Sequence, residues 1–259
     1  IEKGSAVKLK KFIEDAEYKY NVGINKLVHK PGISIFELLD MELITGMLRL
    51  DVFKSFESYI NNSFKDERLR MLLKFPVLFL GAKPKDTPAL YSLMNYAGLK
   101  LGTWYPMGGM YEMIKAMINI AESKGVKFHY NAAVEEIIHS NNRANELKTL
   151  NENYKIDGLI ASGDYHHIES NLLSEKYRNY NERYWGKKTF APSSLIFYLG
   201  VNKKINKLIH HNLFFDTDFE KHAFEIYDRP KWPEDPLFYV CCPSKTDPEV
   251  APDGHENIF

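Results

Sequence analysis

Apolar and polar positions alternate with a helical period through the first hundred residues. Ser5 precedes an apolar stripe at spacings of three and four, which predicts a helix capped by Ser5. The stripe consists of Leu9, Phe12, Ile13, Ala16 and Tyr20. The same spacing predicts further helices over residues 52–60, 66–75 and 88–97. Pro76 should end the third of these four helices, and Thr87 and Gly98 should flank the fourth.

From residue 101 the pattern changes to short apolar runs separated by helices. Strands are predicted over residues 101–105, 126–131, 132–140, 156–162, 193–201, 212–216 and 236–242. Helices are predicted from Met110 to the cap at Gly125 and over residues 218–228, and the polar stretch 139–155 should form a hairpin. These elements indicate a mixed α+β fold, with boundaries near residues 100 and 175.

Charge and cysteine content exclude several classes of protein. Lysine and arginine total 34, as do aspartate and glutamate, so no positive field attracts nucleic acid. The two cysteines, Cys241 and Cys242, are neighbours, a spacing that rarely forms a disulfide and is typical of a reducing, cytoplasmic setting. No apolar run approaches the roughly 18 residues that a membrane-spanning helix needs.

Gly108 and Gly109 stand between a predicted strand and a predicted helix. Such glycines form a tight turn into a core helix, or they let a ligand approach the free N–H groups of the helix. The spacing is neither a dinucleotide fingerprint nor a P-loop, which favours the turn. The methionines that follow are expected to fill the core rather than to line a pocket.

Two other motifs carry candidate chemistry. Histidines are adjacent at His166-His167 and at His210-His211; neighbouring side chains diverge, so we predict no metal site. Asp164 directly follows a predicted buried strand. It either caps a short helix or lies at the strand end where α/β sheets bind ligands, and its spacing favours the cap.

Several stretches, taken in order, resemble the phytoene desaturase family of carotenoid dehydrogenases, within the flavin-dependent amine oxidases. They are "FPVLFLGAKPKDTPALYSLMNYA", "GTWYPMGGMYEMIKAM", "AESKGVKFHYNAAVEEI", "APSSLIFYLGV", "HHNLFF" and "DPLFYVCCPSKTDPEVAPDG". The resemblance covers roughly residues 69–254. It implies a central piece that lacks the N-terminal dinucleotide fingerprint and the C-terminal flavin segment, so both ends are expected to be cut.

The resemblance also implies roles for segments and residues. Residues 1–100 would be the mainly helical part of the substrate domain, 101–175 would return to the FAD-binding domain, and 176–259 would supply the substrate-domain sheet and helix. The residues expected to contact FAD are Val134, Gly163 and Asp164. The residues expected to contact the substrate are Trp104, Tyr105, Gly108, Gly109 and Tyr165.

The activity implied is dehydrogenation of a long isoprenoid, with hydride passing from an allylic carbon to FAD. The alternatives are a polyene saturase or isomerase, a non-catalytic lipid- or carotenoid-binding module, and an amine oxidase relative acting on a polar substrate. No catalytic residue and no oligomeric state follow from the sequence. An apolar substrate suggests peripheral contact with a membrane through the helices between residues 35 and 80, although packing of those helices on each other explains the same residues.

Overall fold

The computed structural model describes residues 2–31, 33–34, 49–78 and 80–259. The chain divides into two compact units. The first comprises Ile1–Ile114 and Pro192–Phe259, and the second comprises Lys115–Ala191. Helices and small antiparallel sheets both occur, so the predicted mixed α+β class is confirmed.

Helices dominate the beginning of the first unit. They are α1 (Ser5–Val22), α2 (Phe56–Ser63), α3 (Glu67–Leu78) and the single turn α4 (Leu93–Tyr96). The predicted stripe of α1 packs against α2 and α3, because Phe12 joins an apolar cluster from which water is excluded. The other buried members are Phe56, Ile60, Phe64, Leu69, Leu73 and Val77.

The helix boundaries differ from the predictions in four places. Gly4 is the cap residue of α1, so Ser5 is already helical. Helix α2 begins at Phe56, because the Ser55 hydroxyl accepts the backbone N–H of Ser58 at 3.2 Å. Helix α3 continues through Pro76, and the helical path around α4 runs past Gly98 to Leu101. Packing explains the passage through Pro76, since the apolar residues on either side of it are buried in the cluster.

Helix α5 (Tyr111–Ser123) forms as predicted and is followed by Gly125 with a φ of 85°. Two other expectations for this region are wrong. Residues 101–105, all of them described, form no strand. No residue of α5 is buried, so its methionines do not fill a core within this chain.

The second unit contains a three-stranded antiparallel sheet. Its strands are β1 (Val134–Ser140), β2 (Arg143–Thr149) and β3 (Asn153–Lys155), paired in sequence order. The predicted hairpin is confirmed, and Asn141 and Asn142 take φ values of 51° and 59° in its turn. The strands predicted over 126–131 and 156–162 do not form, since neither stretch pairs with a described strand. Two short helical turns follow, α6 (Tyr165–His167) and α7 (Glu182–Trp185).

The remaining elements return to the first unit. They are β4 (Leu199–Val201), β5 (His211–Phe214), α8 (Phe219–Tyr227), β6 (Phe238–Cys241) and β7 (Glu256–Ile258). Strands β4 and β7 pair antiparallel, as do β5 and β6. Two backbone hydrogen bonds between Cys241 and Phe259, of 2.7 and 3.0 Å, join the two pairs. The buried Lys74 then ties α3 to α8, because it contacts Glu57 at 3.3 Å and Glu220 at 3.0 Å.

The helices between residues 35 and 80 are described in part. Residues 35–48 and 79 lie outside the described residues. From residue 49 onward six large apolar side chains are buried in the cluster, whereas Phe53, Leu72 and Leu80 are 85%, 45% and 44% exposed. Within the described ranges every helix is too short or too polar to cross a bilayer.

Candidate functional site

The glycine pair forms a tight turn that leads into α5. Gly108 and Gly109 have φ values of 87° and 103°, in the region that side chains rarely adopt. The N–H of Gly109 donates to the carbonyl of Pro106 at 3.1 Å, and the carbonyl of Gly109 accepts from Glu112 at 3.0 Å. A Cβ at Gly108 would lie 3.1 Å from the Glu112 side chain. The turn therefore requires glycine at both positions.

A buried carboxylate from the far end of the chain holds this turn. Asp247 is 0% exposed, and it accepts the backbone N–H of Gly108 at 2.7 Å. It also accepts the N–H of Glu249 at 3.0 Å and so caps its own turn. Because a buried carboxylate needs hydrogen-bond partners, these two contacts satisfy Asp247 and hold the glycine turn in place.

Tyr105 lies beside the same carboxylate. Its ring packs edge-on against His210, with centroids 4.9 Å apart. Burial and the negative charge of Asp247 raise the pKa of Tyr105, so its phenol stays protonated at neutral pH. Tyr105 thus presents a neutral, half-buried aromatic surface.

His210 and His211 each engage a hydroxyl group. His210 Nδ1 lies 2.6 Å from Thr246 Oγ1, and His211 Nδ1 lies 2.5 Å from the Tyr239 hydroxyl. Burial lowers the pKa of His210, and the neighbouring His211 lowers it further. The two rings do not diverge as expected for adjacent side chains, since their centroids lie 4.4 Å apart.

Apolar side chains are exposed around this turn. Trp104 is 88% exposed, and the α5 face that follows the turn is exposed as well. Met110 precedes the helix, and Met113 and Ile114 lie on the part of α5 that belongs to the first unit. A stripe of this kind on one face of a helix is typical of a surface that contacts an apolar ligand or partner.

The second unit presents an aromatic cluster behind Asp164. The Asp164 carboxylate accepts the N–H of His167 at 2.7 Å, so the predicted cap is confirmed. Tyr165 donates its hydroxyl to the buried Glu169 at 3.2 Å and packs edge-on against Trp185 with centroids 5.6 Å apart. The indole nitrogen of Trp185 is buried and finds no hydrogen-bond partner among the described residues.

Glu169 organises the loop that carries this cluster. It accepts the backbone N–H groups of Asn179 and Tyr180 at 2.9 and 3.2 Å. Burial raises the pKa of Glu169, but its hydrogen bonds to Asn179 and Tyr180 outweigh burial and lower it below its usual value. A charged Glu169 therefore orients the Tyr165 hydroxyl.

The predicted site residues fall into two groups. Trp104, Tyr105, Gly108 and Gly109 share one turn of the first unit. In the second unit, Gly163, Asp164 and Tyr165 are consecutive, and the half-buried Val134 begins β1. Sequence reasoning missed Asp247 and Glu169, and it noted His210 but assigned it no role. Only Asp247 left a local signal, since an Asp-Pro pair is typical of a helical cap.

The position of Val134 is marked by an irregularity in the sheet. Val134 pairs with Thr149, and Glu136 pairs with Lys148, so Glu135 stands outside the paired register. Such a bulge leaves backbone polar groups at the beginning of β1 without a regular strand partner.

A family model described as flavin containing amine oxidoreductase matches residues 37–255. The chain belongs to this family. The resemblance to the phytoene desaturases within the amine oxidases is confirmed at the level of the family.

Curated relatives of this flavin-dependent family align along the whole chain. A carotenoid 3,4-desaturase of Haloarcula japonica is 33% identical, over 100% of this chain and 52% of the relative. A zeta-carotene-forming phytoene desaturase of Myxococcus xanthus is 28% identical, over 100% of this chain and 50% of the relative. A phytoene desaturase of Neurospora crassa is 27% identical, over 96% of this chain and 43% of the relative. The chain spans about half the length of the curated relatives it matches.

Proposed function

We propose that this chain is the central part of an FAD-dependent dehydrogenase that desaturates a long isoprenoid of the carotenoid type. The observation that carries the proposal is the exposed apolar face of α5, which begins directly after the anchored glycine turn. The names of the three relatives described above, each a desaturase, support the reaction type.

The residues of the first unit would form one wall for the substrate. Trp104, Tyr105 and the backbone at Gly108 and Gly109 would contact the polyene, with Met113 on the helix that follows. An apolar wall excludes water and aligns a substrate C–H bond with the flavin. Hydride transfer needs these two contributions from the protein more than it needs a dedicated base. Tyr105 stays neutral, so it adds no charge to the wall.

Residues of the second unit would contact the cofactor. Val134 lies at the bulged beginning of β1. The indole N–H of Trp185, which has no partner among the described residues, lies in the aromatic cluster near Tyr165. These features fit contacts to part of a flavin, with Val134, Gly163 and Asp164 as the contacting residues. When bound, FAD would accept a hydride from an allylic carbon of the substrate. Tyr165 would contact the substrate.

The complete protein, produced from its whole gene, tests this proposal. It should show flavin absorbance and, in liposomes, convert phytoene to products with more double bonds. Products with fewer double bonds would indicate a saturase, and an unchanged number would indicate an isomerase. Polyene binding without flavin would indicate a binding module. Each of these three outcomes overturns the proposal, and the 259-residue chain alone should carry no flavin.

A matched pair of variants tests the apolar wall. Met113→Glu places a carboxylate on the exposed face of α5, where Met113 is 52% exposed. A charge facing an apolar substrate should lower kcat/KM at least 10-fold, equivalent to about 1.4 kcal/mol. Val7→Glu, at a position 76% exposed on α1, is the control and should leave kcat/KM unchanged. Equal effects of the two variants would exclude α5 as the wall.

We further propose peripheral contact with a membrane, since such a substrate partitions into lipid. Phe53 at 85% exposure and Leu80 at 44% are the described apolar side chains expected to insert. Flotation with liposomes should show weaker binding of the Phe53→Ala/Leu80→Ala variant than of Val28→Ala. Undiminished flotation of the double variant would rule this contact out.

A further inference from the structure

Strands β5 and β6 gather three side chains that ligate metals and that the proposed function does not use. A ring nitrogen of His210, a ring nitrogen of His211 and the sulfur of Cys241 all lie within 4.8 Å of one another. His211 stands directly opposite Cys241 in the strand register. Directly opposed residues point to the same face of a sheet, which explains how this pair meets.

The backbone around these residues is fixed on both sides. Cys241 pairs with His211 through the ladder and exchanges two hydrogen bonds with Phe259, of 2.7 and 3.0 Å. The carbonyl of His210 accepts the N–H of Cys242 at 2.8 Å. A site carried by paired strands is better preorganised than one carried by a loop.

Each imidazole already has the second partner that metal-binding histidines usually have. The Thr246 hydroxyl forms a hydrogen bond with Nδ1 of His210, and the Tyr239 hydroxyl forms one with Nδ1 of His211. In metal sites such a contact holds the orientation of a ring whose other nitrogen is the ligand.

The surrounding charges favour a cation. The buried carboxylate of Asp247 interacts electrostatically with His210. The neighbouring ammonium group of Lys245 is neutralised by Glu256 at 2.5 Å. Attraction to Asp247 is therefore not cancelled by a free positive charge on Lys245.

The donor set selects the metal. Two imidazoles and a thiolate suit zinc, whereas magnesium and calcium prefer oxygen. Zinc binds nitrogen at about 2.0–2.1 Å and sulfur at about 2.3 Å, so ligand atoms in a tetrahedral site lie about 3.5 Å apart. The present separations are at most 4.8 Å, so side-chain movements of up to about 1.3 Å bring the ligand atoms to that spacing.

We propose that His210, His211 and Cys241 bind one Zn²⁺ ion through two imidazole nitrogens and a thiolate, with the fourth position open. On binding, the thiol proton of Cys241 passes to the buffer and a zinc–sulfur bond forms. None of its three ligands is among the residues assigned to FAD or substrate, although the His210 ring packs against Tyr105 of the substrate wall.

Titration of the purified protein with Co²⁺ and then Zn²⁺ tests the site, using protein made without a histidine tag. Wild-type protein should bind one equivalent of Co²⁺ with a thiolate-to-cobalt absorption band, and Zn²⁺ should remove that band. Cys241→Ser should abolish the band, and Cys241→Ser and His210→Ala should each weaken Zn²⁺ binding at least about 100-fold. Circular dichroism establishes that each variant is folded.

Two matched variants serve as controls. Cys242→Ala removes the neighbouring buried thiol, and His255→Ala removes an exposed histidine; both should bind as wild type does. Wild-type protein without a stoichiometric thiolate band, or equal zinc affinity in Cys241→Ser and wild type, would overturn the proposal. If Cys241→Ser does not fold, His210→Ala replaces it in the test, and equal zinc affinity in His210→Ala and wild type would overturn the proposal.

Discussion

Replacing Glu256 by alanine should lower the free energy of unfolding by about 4 kcal/mol, the largest stability effect expected in this chain. Glu256 is 1% exposed and pairs with Lys245 at 2.5 Å. It also accepts the Ser244 hydroxyl and the backbone N–H of Ile205. Alanine would leave Lys245, whose side chain is only 18% exposed, with the Ile205 carbonyl at 2.7 Å but without its carboxylate partner. Chemical denaturation at pH 7 measures the loss.

The pH dependence of this contribution has a definite sign. Burial raises the pKa of Glu256, but the Lys245 ammonium and the Ser244 hydroxyl outweigh burial and lower the pKa from 4.5 to about 2. The stabilisation is therefore complete above pH 4.5 and is lost as the pH falls toward 2. The Glu256→Gln variant keeps the size of the side chain without its charge. The stability difference between wild type and Glu256→Gln should shrink over this window, and a constant difference would contradict the assignment.

Replacing Asp247 by alanine should cost about 3 kcal/mol, because two backbone N–H groups lose their acceptor. These are the N–H groups of Gly108 at 2.7 Å and Glu249 at 3.0 Å. The effect should be local as well as global. Hydrogen exchange at the Gly108 amide should speed up in Asp247→Ala at denaturant concentrations where the rest of the chain stays folded.

A conservative variant and a control variant test whether the loss of the Asp247 carboxylate causes this effect. Asp247→Asn keeps one acceptor oxygen and should retain most of the protection at Gly108. Asp253→Ala removes an exposed acid nearby and should change stability by less than about 0.5 kcal/mol. Unchanged exchange at Gly108 in Asp247→Ala would show that the glycines hold the turn by themselves.

The elements that sequence predicted well are those with complete local signals. Helix α5 has an apolar stripe and a glycine cap, and the β1–β2 hairpin has two asparagines that tolerate positive φ. Both signals act within a few residues, so no distant partner is needed to interpret them.

The predictions that failed depended on partners. Residues 156–162 have the composition of a buried strand, yet a buried strand needs paired neighbours. After one hydrogen bond from the Ile156 N–H to the Asn145 carbonyl at 2.9 Å, none of the described strands pairs with them. Pro76 should have ended α3, but burial of Leu73 and Val77 on both sides of it carries the helix two residues further. In each case tertiary packing, present or absent, outweighed the local preference.

The sequence by itself determined the mixed fold class, the hairpin, the helix after the glycine pair and the family. Only the tertiary structure decided which side chains meet. Asp247 reaches Gly108 across 139 residues, and Cys241 reaches His211 across a strand pair. The physical reason is that local patterns report backbone preferences over one or two turns. A contact between distant residues depends instead on how whole elements bury their apolar faces and satisfy their polar groups.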